Sequence, residues 1–238
     1  LFLITFLIFF NHNIKLYRKY IYNNKKKIFT FWEPVTKIPG YLKLCIKTWK
    51  MFLPEYDIEI LNYEKVKEYL GEDLLSKIIC NNISLFVQTD AIRVALLNKF
   101  GGIWMDADNI IVNGEFIRAI HKSGLTMIRD NKRKNFHHIG FISSSSNSKI
   151  LNQWLEEIIN KVKYCKNVFA NKVFIGNNLE KIKNWDYLGN SIIDSILKNT
   201  KSNEYYPILT DEINVFPEEI YFKYNKSKII KKCANKIY

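Results

Sequence analysis

The run of residues from 85 to 112 constrains the fold of this chain more than any other part of the sequence. It reads LFVQTDAIRVALLNKFGGIWMDADNIIV: an apolar pattern with helical spacing, two glycines, a short apolar segment and then two acids. A glycine pair is suited to end a helix, and the segment 103–105 reads as a buried strand. The pattern therefore predicts a helix that leads into a strand, with Asp106 and Asp108 at the strand's end.

The rest of the chain alternates in the same way. Strand-like segments are IFTFW, YDIEILN, IWM, GLTMI and IGFIS, and helix-like segments are GYLKLCIKTWKMFL, EKVKEYL, EDLLSKII, KILNQWLEEIINKV and LGNSIIDSILK. The alternation predicts an α/β fold with a mainly parallel central sheet covered by helices. Ligands of such sheets bind beyond the carboxyl ends of the strands, where we expect Trp32, Asp106 and Asp108.

The length of 238 residues, with 47% apolar and 25% charged residues, fits one folded domain with additions at both ends. We predict an apolar and basic N-terminal segment at 1–27, a folded domain at 28–222 and a basic tail at 223–238. Residues 1–10 are apolar but too few to cross a bilayer, which needs about 20 residues. Three interpretations stay open for them: a clipped membrane anchor, the apolar core of a signal peptide, or a segment packed on the domain.

The formal net charge of +13 lies mainly at the two ends of the chain. Residues 1–27 and 223–238 each carry six basic residues and no acid, so the region between them is nearly neutral. A nucleic-acid-binding protein would more often place its charge on a folded face, and we expect no nucleic-acid partner. Basic ends favour an anionic membrane surface, although a general richness in lysine would also explain them.

The cysteines are widely spaced, with no Cys-x-x-Cys pair and no paired histidine ligands; they are Cys45, Cys80, Cys165 and Cys233. This spacing excludes the common zinc patterns and favours reduced thiols in a reducing compartment. Together with the basic ends, it predicts a cytoplasmic protein that lies peripherally on the inner face of the membrane.

The two acids after the predicted strand are spaced so that both carboxylates can point the same way. Carboxylate oxygens are hard ligands suited to Mn²⁺ or Mg²⁺, and two acids leave most coordination positions open for a second ligand such as a diphosphate. An EF-hand is excluded, because isoleucines occupy the positions that need glycine and glutamate. A D-x-D phosphotransferase or phosphatase stays an alternative, for which Asp211 and Glu212 would be the distant acidic pair.

The order and spacing of several blocks make the interpretation more specific. IFTFWEP, LCIKTWKMFLPEYDIEILN and QTDAIRVALLNKFGGIWMDAD follow one another as in the capsular polysaccharide synthesis family of glycosyltransferases, which residues 28–116 resemble. That family is related to the family 32-like D-x-D sugar transferases, which include yeast-type α-mannosyltransferases and glucosylating bacterial toxins. The C-terminal half of the chain resembles these enzymes only loosely.

The resemblance implies a GT-A fold, a nucleotide-sugar donor, a divalent metal (Mn²⁺ or Mg²⁺) and retention of the anomeric configuration. Asp106 and Asp108 would be the catalytic D-x-D acids that bind the metal and the diphosphate. Asp90 and Arg93, three residues apart on one helical face, would bind the donor sugar and its phosphate. Trp32 would stack on the nucleobase. A UDP-sugar is the favoured donor and a GDP-sugar the alternative.

The acceptor implied by the resemblance is a surface glycan, such as capsule or lipopolysaccharide, or a lipid-linked glycan. Asp186 in the loosely matching half is the candidate acceptor contact. His137 and His138, which precede a strand, are expected to be exposed loop residues without a role. A catalytically inactive protein that binds glycan or nucleotide-sugar is the alternative outside the enzymes.

Each donor-site residue also has a purely structural interpretation at this point. Asp90 and Arg93 could form only an exposed ion pair, which would contribute under about 1 kcal/mol. Trp32 could be an ordinary core aromatic, and the acid pair could lie on a solvated turn.

Overall fold

The computed structural model describes residues 26–119, 124–129, 136–174, 181–200 and 204–209. Its strands are β1 (Lys27–Phe31), β2 (Asp57–Leu61), β3 (Gly102–Met105), β4 (Leu125–Arg129), β5 (His137–Ser144) and β6 (Tyr205–Leu209). They form one sheet in the order β2-β1-β3-β5-β4-β6. β1 is parallel to β2 and β3, and β4 to β6, whereas β5 is antiparallel to both of its neighbours. Five strands share one direction, which confirms the predicted α/β class with a mainly parallel sheet.

Helices cover both faces of the sheet. They are α1 (Gly40–Phe52), α2 (Tyr63–Leu70), α3 (Glu72–Ile78), α4 (Leu85–Phe100), α5 (Glu115–Ala119), α6 (Lys149–Phe174) and α7 (Asn190–Lys198), with a 3-10 turn at Val35–Lys37. α1 and α5 pack on one face, where Ile103 and Met105 of β3 meet them. The other helices pack on the opposite face with Trp104, because successive strand residues point to opposite sides.

The helix α1 has the inner face that its sequence predicts. Leu42, Cys45, Ile46 and Trp49 are all buried, at the spacing of one helical stripe. The helix ends at Phe52, two residues before Pro54, which cannot continue a helix. α1 is therefore an amphipathic helix docked on the sheet through its apolar side.

The helix α4 is buried on nearly every side. Its residues from Val87 to Asn98 are almost all buried, because it packs against the sheet and also against α2, α3 and α6. The sequence predicts an apolar face for this helix but not its full enclosure. As a consequence, the polar side chains of Asp90 and Arg93 lie inside the protein rather than on its surface.

The connection from α4 to β3 needs both of its glycines. Gly101 has φ 65° and Gly102 has φ 99°, backbone conformations that residues with a Cβ rarely adopt. A Cβ on Gly102 would also lie 2.7 Å from the carbonyl oxygen of Lys27. The tight turn places β3 directly beside β1.

The edge strand β6 is the one described strand that the sequence pattern does not predict. It contains Pro207, and a proline argues against a strand because it cannot donate to the ladder. Among the described strands, β6 pairs only with β4 and lies at the edge of the sheet, where a missing N–H group is tolerated.

Several sequence-based predictions concern residues outside the described part of the chain. These are the apolar N-terminal residues 1–10, the basic tail at 223–238, Cys233 and the pair Asp211 and Glu212. The three described cysteines are buried and free. In the ranges that the structure describes, no helix has the length and apolar character needed to cross a membrane.

Candidate functional site

The candidate site lies where β1 and β3 end side by side. The two strands are parallel and paired, so Trp32 after β1 and Asp106 after β3 leave the sheet at the same edge. β5 runs the other way, so its N-terminal residues reach this edge as well. Asp90 and Arg93 reach it from α4, which packs across the sheet.

Arg93 joins the helix to the acid pair. Its Nη2 atom lies 3.0 Å from Asp90 Oδ1 and 3.5 Å from Asp106 Oδ1. Its Nη1 atom donates a hydrogen bond to the carbonyl oxygen of Ile139. The guanidinium carbon also lies 5.0 Å from the ring centre of Trp104, within the range of a cation–π contact. Asp90, Arg93 and Asp106, which the sequence predicts as site residues, are thus brought into one cluster.

The ion pair between Asp90 and Arg93 is buried. Their side chains are 5% and 6% exposed, so the alternative of a solvated surface pair is wrong. Removing two charges from water costs several kcal/mol per ion, and only close geometry with further hydrogen bonds offsets that cost. The Nε atom of Arg93 is buried without a hydrogen-bond partner among the described residues. The guanidinium thus keeps one unused donor in this cluster.

Burial raises the pKa of Asp90 to about 7, and the nearby carboxylates of Asp106 and Asp186 act in the same direction. The charge of Arg93 opposes this shift. Gly189 faces the same carboxylate, since a Cβ at that position would lie 2.6 Å from Asp90 Oδ2. Asp90 is therefore held in a tight, low-dielectric position where its protonation state responds to pH near neutrality.

A hydrogen bond holds one carboxylate oxygen of Asp106, whereas the rest of its side chain is open to solvent. Trp104 Nε1 donates to Asp106 Oδ1 at 2.8 Å, and the Asp106 backbone N–H donates to the carbonyl of Gly140 at 2.8 Å. The Asp106 side chain is nevertheless 40% exposed. A Cβ on Gly140 would lie 2.8 Å from Asp106 Oδ2, so glycine leaves room for this second oxygen.

Two side chains of α1 donate hydrogen bonds to the backbone of the loop that carries Asp108. The Cys45 thiol donates to the Asp108 carbonyl at 3.6 Å, and Trp49 Nε1 donates to the Asn109 carbonyl at 2.6 Å. Asn109 Nδ2 in turn donates to the Asp106 carbonyl at 2.8 Å. The Asp108 side chain itself reaches solvent, while the surrounding protein and the charge of Asp106 raise the pKa of its carboxyl group.

An irregularity between β4 and β5 brings two backbone carbonyls to the site. The pairing shifts from Met127 with Ile142 to Ile128 with His138, which leaves the intervening β5 residues without partners on β4. The carbonyls of Ile139 and Gly140 in this stretch accept from Arg93 and from the Asp106 backbone. Bulges often redirect groups beside functional sites. No residue type marks such carbonyls in the sequence, so they could not be predicted from it.

Asp186 has a structural role that the sequence did not indicate. Its Oδ1 atom accepts the backbone N–H of Ser191 at 2.7 Å, and its carbonyl accepts the Ser191 hydroxyl at 2.6 Å. These bonds cap the first turn of α7. Its charge is also close enough to raise the pKa of Asp90, so it lies near the cluster. Its predicted contact with an acceptor stays a prediction.

Trp32 is half-buried at the end of β1. Its backbone N–H donates to the Leu61 carbonyl at 2.9 Å, and its side chain packs on the edge of the core between α1 and the sheet. A half-buried indole keeps part of its surface available for a ligand. The predicted stacking on a nucleobase stays a prediction.

The expectation that His137 is an exposed loop residue is wrong. Both histidines belong to β5, and His137 is 4% exposed. Its Nδ1 atom lies 2.6 Å from Asp194 Oδ1 of α7, and its carbonyl accepts from Asn190 Nδ2 at 2.5 Å. His137 thus ties α7 to the sheet, whereas His138 is half-buried beside Phe136.

The carboxylates present fit a metal shared with a ligand rather than a closed protein cage. Among the described residues, no three histidine, cysteine, aspartate or glutamate side chains are grouped so as to hold a metal ion. The open oxygen of Asp106 and the exposed carboxylate of Asp108 are hard ligands for Mn²⁺ or Mg²⁺. Such a pair leaves the remaining coordination positions to solvent or to a phosphate-bearing ligand.

Comparisons with known proteins agree with the fold and the sequence blocks. Residues 8–237 match the family described as capsular polysaccharide synthesis protein. A solved structure titled PaToxG Glycosyltransferase is similar, with a TM-score of 0.50 and 17% identity over 79% of this chain and 76% of that chain. No curated protein matches the sequence. The family match over most of the chain confirms the resemblance, and the protein therefore belongs to the capsular polysaccharide synthesis family and has the fold of a glycosyltransferase.

Proposed function

We propose that this glycosyltransferase moves a hexose or related sugar from a nucleotide-sugar donor to a glycan acceptor, with retention of configuration and with a divalent metal. The observation that carries the proposal is the contact of Arg93 with both Asp90 and Asp106. It joins the D-x-x-R segment of α4 to Asp106, the first acid of the D-x-D pair, at the carboxyl edge of the sheet. That edge is where ligands of such sheets bind.

The donor would lie across the ends of β1 and β3. Asp106 and Asp108 would hold Mn²⁺ or Mg²⁺, which supplies Lewis-acid stabilisation of the departing diphosphate when bound. Trp32 would stack on the nucleobase, and base stacking on an aromatic ring contributes about 1–3 kcal/mol. A UDP-sugar is our first choice of donor and a GDP-sugar the second.

The α4 residues would bind the sugar. Asp90 would accept hydrogen bonds from sugar hydroxyls, while the free Nε donor of Arg93 would reach the sugar or its phosphate. Because both side chains are held rigidly by each other and by the carbonyl of Ile139, they would need little rearrangement during the reaction. The described residues offer no obvious covalent nucleophile. By analogy with the family that the chain resembles, we favour a front-face reaction, in which the leaving phosphate takes the proton of the acceptor hydroxyl.

The acceptor would be a capsule, lipopolysaccharide or lipid-linked glycan that approaches from the α7 side. Asp186 would contact it through Oδ2, since Oδ1 already accepts from Ser191. Asp186 is half-buried and near Asp90, so it borders the region where the donor sugar would lie.

Calorimetric titration of UDP and of GDP tests the donor site. Each is titrated into wild type with Mn²⁺ and with EDTA, and then into Asp108→Asn. Asp73→Asn is the matched control, because Asp73 is exposed on α3 and forms a surface ion pair with Lys77. We expect metal-dependent binding of one nucleotide, lost in Asp108→Asn and kept in Asp73→Asn.

The other outcomes separate the alternatives. If folded wild type binds no nucleotide but releases phosphate from a generic phosphate ester, the D-x-D phosphotransferase replaces the proposal. If it binds UDP or GDP with metal but neither hydrolyses nor transfers sugar from the matching donors, the protein is an inactive nucleotide-sugar-binding member. Asp211 and Glu212, which the phosphotransferase would need, lie outside the described residues.

A further inference from the structure

The outer side of α1 and the loop after Asp108 form an exposed apolar surface. Its members, which we call the α1 face, are Tyr41, Leu44 and Met51 of the helix and Ile110 and Val112 of the loop. Each is between 47% and 68% exposed. Leu44 is three positions after Tyr41, and Met51 is seven positions after Leu44, so the three side chains lie in one stripe along one side of the helix. Thr48 lies on the same stripe and links it to the loop, because its hydroxyl accepts the Ile111 N–H at 3.0 Å.

A row of lysines borders this stripe. Lys43, Lys47 and Lys50 are exposed on α1, and the helix contains no aspartate or glutamate. At the C-terminal end of the helix, Arg118 pairs with Glu55 and so cancels its charge. An apolar stripe flanked by lysines is the composition of helices that lie in the plane of a membrane interface.

The α1 face adjoins the candidate site. The inner side of the same helix contacts the site loop, through the Cys45 thiol to the Asp108 carbonyl and the Trp49 indole to the Asn109 carbonyl. Ile110 and Val112 continue this loop on the outer side. A surface that rests on the α1 face would therefore hold the acid pair close to it.

We propose that the α1 face binds the surface of an anionic lipid bilayer. Tyr41, Leu44 and Met51 would enter the headgroup region, while the lysines would pair with anionic headgroups. A second copy of this chain fits the face less well, because a two-fold contact would bring the lysine rows of both copies together. The inference goes beyond the proposed function, since binding to lipid does not depend on which sugar is transferred or on whether transfer occurs.

Vesicle co-sedimentation of the full chain tests the proposal with variants matched in chemistry. Lys43→Gln/Lys47→Gln is compared with Lys163→Gln/Lys198→Gln, which removes the same charge from exposed positions on α6 and α7. Tyr41→Ser is compared with Tyr164→Ser, since both tyrosines are exposed, at 57% and 68%. α6 and α7 pack on the opposite face of the sheet from α1.

We expect wild type to bind vesicles of phosphatidylcholine with phosphatidylglycerol and to bind pure phosphatidylcholine much less. The α1 lysine pair should lower the partition coefficient about twenty-fivefold, since each basic residue near an anionic surface contributes about fivefold. Tyr41→Ser should lower it several-fold, and both control variants should stay much closer to wild type. Higher salt should weaken binding.

Three results would overturn the proposal. One is a wild type that does not bind anionic vesicles. Another is an equal loss of vesicle binding in the α1 variants and in the control variants, which would mean that overall charge rather than the α1 face binds lipid. The third is concentration-dependent dimerisation without vesicles that Tyr41→Ser abolishes, because the face would then join two copies. Nucleotide titration of each variant separates these results from a failure of the proposed function.

Discussion

The guanidinium of Arg93 lies 3.5 Å from the carboxylate of Asp106, although one residue is inside a buried helix and the other follows a strand. The same guanidinium pairs with Asp90 at 3.0 Å. A single cation therefore sets the distance between the helix and the acid pair. Because both partners are acidic, the loss of this cation affects stability and ligand binding together.

Replacing Arg93 by methionine leaves Asp90 buried without its partner. We expect Arg93→Met to lower the free energy of unfolding by about 3–5 kcal/mol, the usual effect of breaking a buried pair. Arg118→Met is the control, because its pair with Glu55 is solvent-exposed and screened by water, so its loss should lower stability far less. Urea denaturation measures both. The double variant Asp90→Asn/Arg93→Met should lose less stability than the two single variants lose together. A loss equal to the sum of the two single losses would contradict the coupling.

Asp90 should make stability depend on pH. Its pKa is about 7 in the folded protein, above the ordinary value of 3.8, so the folded state holds the proton more tightly. The stabilisation of the folded state by this tighter proton binding is fully present at low pH and is lost as pH rises toward 7. The Tm of Asp90→Asn minus that of wild type should therefore increase between about pH 4 and about pH 7 and change little above that. A Tm difference for Asp90→Asn that stays constant over this pH range would refute the pKa shift.

Gly140 leaves the space that Asp106 Oδ2 occupies. A Cβ there would lie 2.8 Å from that oxygen, so Gly140→Ala should displace the carboxylate. We expect metal-dependent nucleotide affinity to fall about tenfold, as when other supports of metal ligands are changed. Gly40→Ala is the control, because nothing lies within 4 Å of a Cβ at the start of α1. Calorimetry compares the two, and unchanged affinity in Gly140→Ala would mean that Asp106 does not hold the metal.

Trp104 should orient Asp106 through its indole N–H. Trp104→Phe removes the 2.8 Å bond to Asp106 Oδ1 but keeps an aromatic ring in the core. We expect Mn²⁺-dependent binding to weaken about tenfold. In Trp154→Phe, the lost bond is a 2.9 Å contact with the Leu188 carbonyl, not with either acid of the pair. Both variants should lose about 1–2 kcal/mol of stability. Only Trp104→Phe should change the Mn²⁺ dependence of nucleotide binding. The same Mn²⁺ dependence in both variants would argue against this role of Trp104.

The sequence predicts the described elements well where the pattern is local. The helix α1, the glycine turn before β3 and the short helices on either side of Gly71 lie where spacing, proline and glycine indicate. β6 is different, because the pairing with β4 stabilises a segment whose Pro207 argues against a strand. Pairing of distant segments has no signature within either segment, so local patterns do not reveal it.

The sequence by itself determined the fold class, the family and the acids of the candidate site, because these depend on residue type and spacing along the chain. Only the tertiary structure decided that Asp90 and Arg93 are buried, that Trp104 and the carbonyls of Ile139 and Gly140 support them, and that His137 is paired with Asp194. Burial and pairing arise when α4, α7 and an irregular strand meet, and the free energy of a charge depends on the neighbours it meets there.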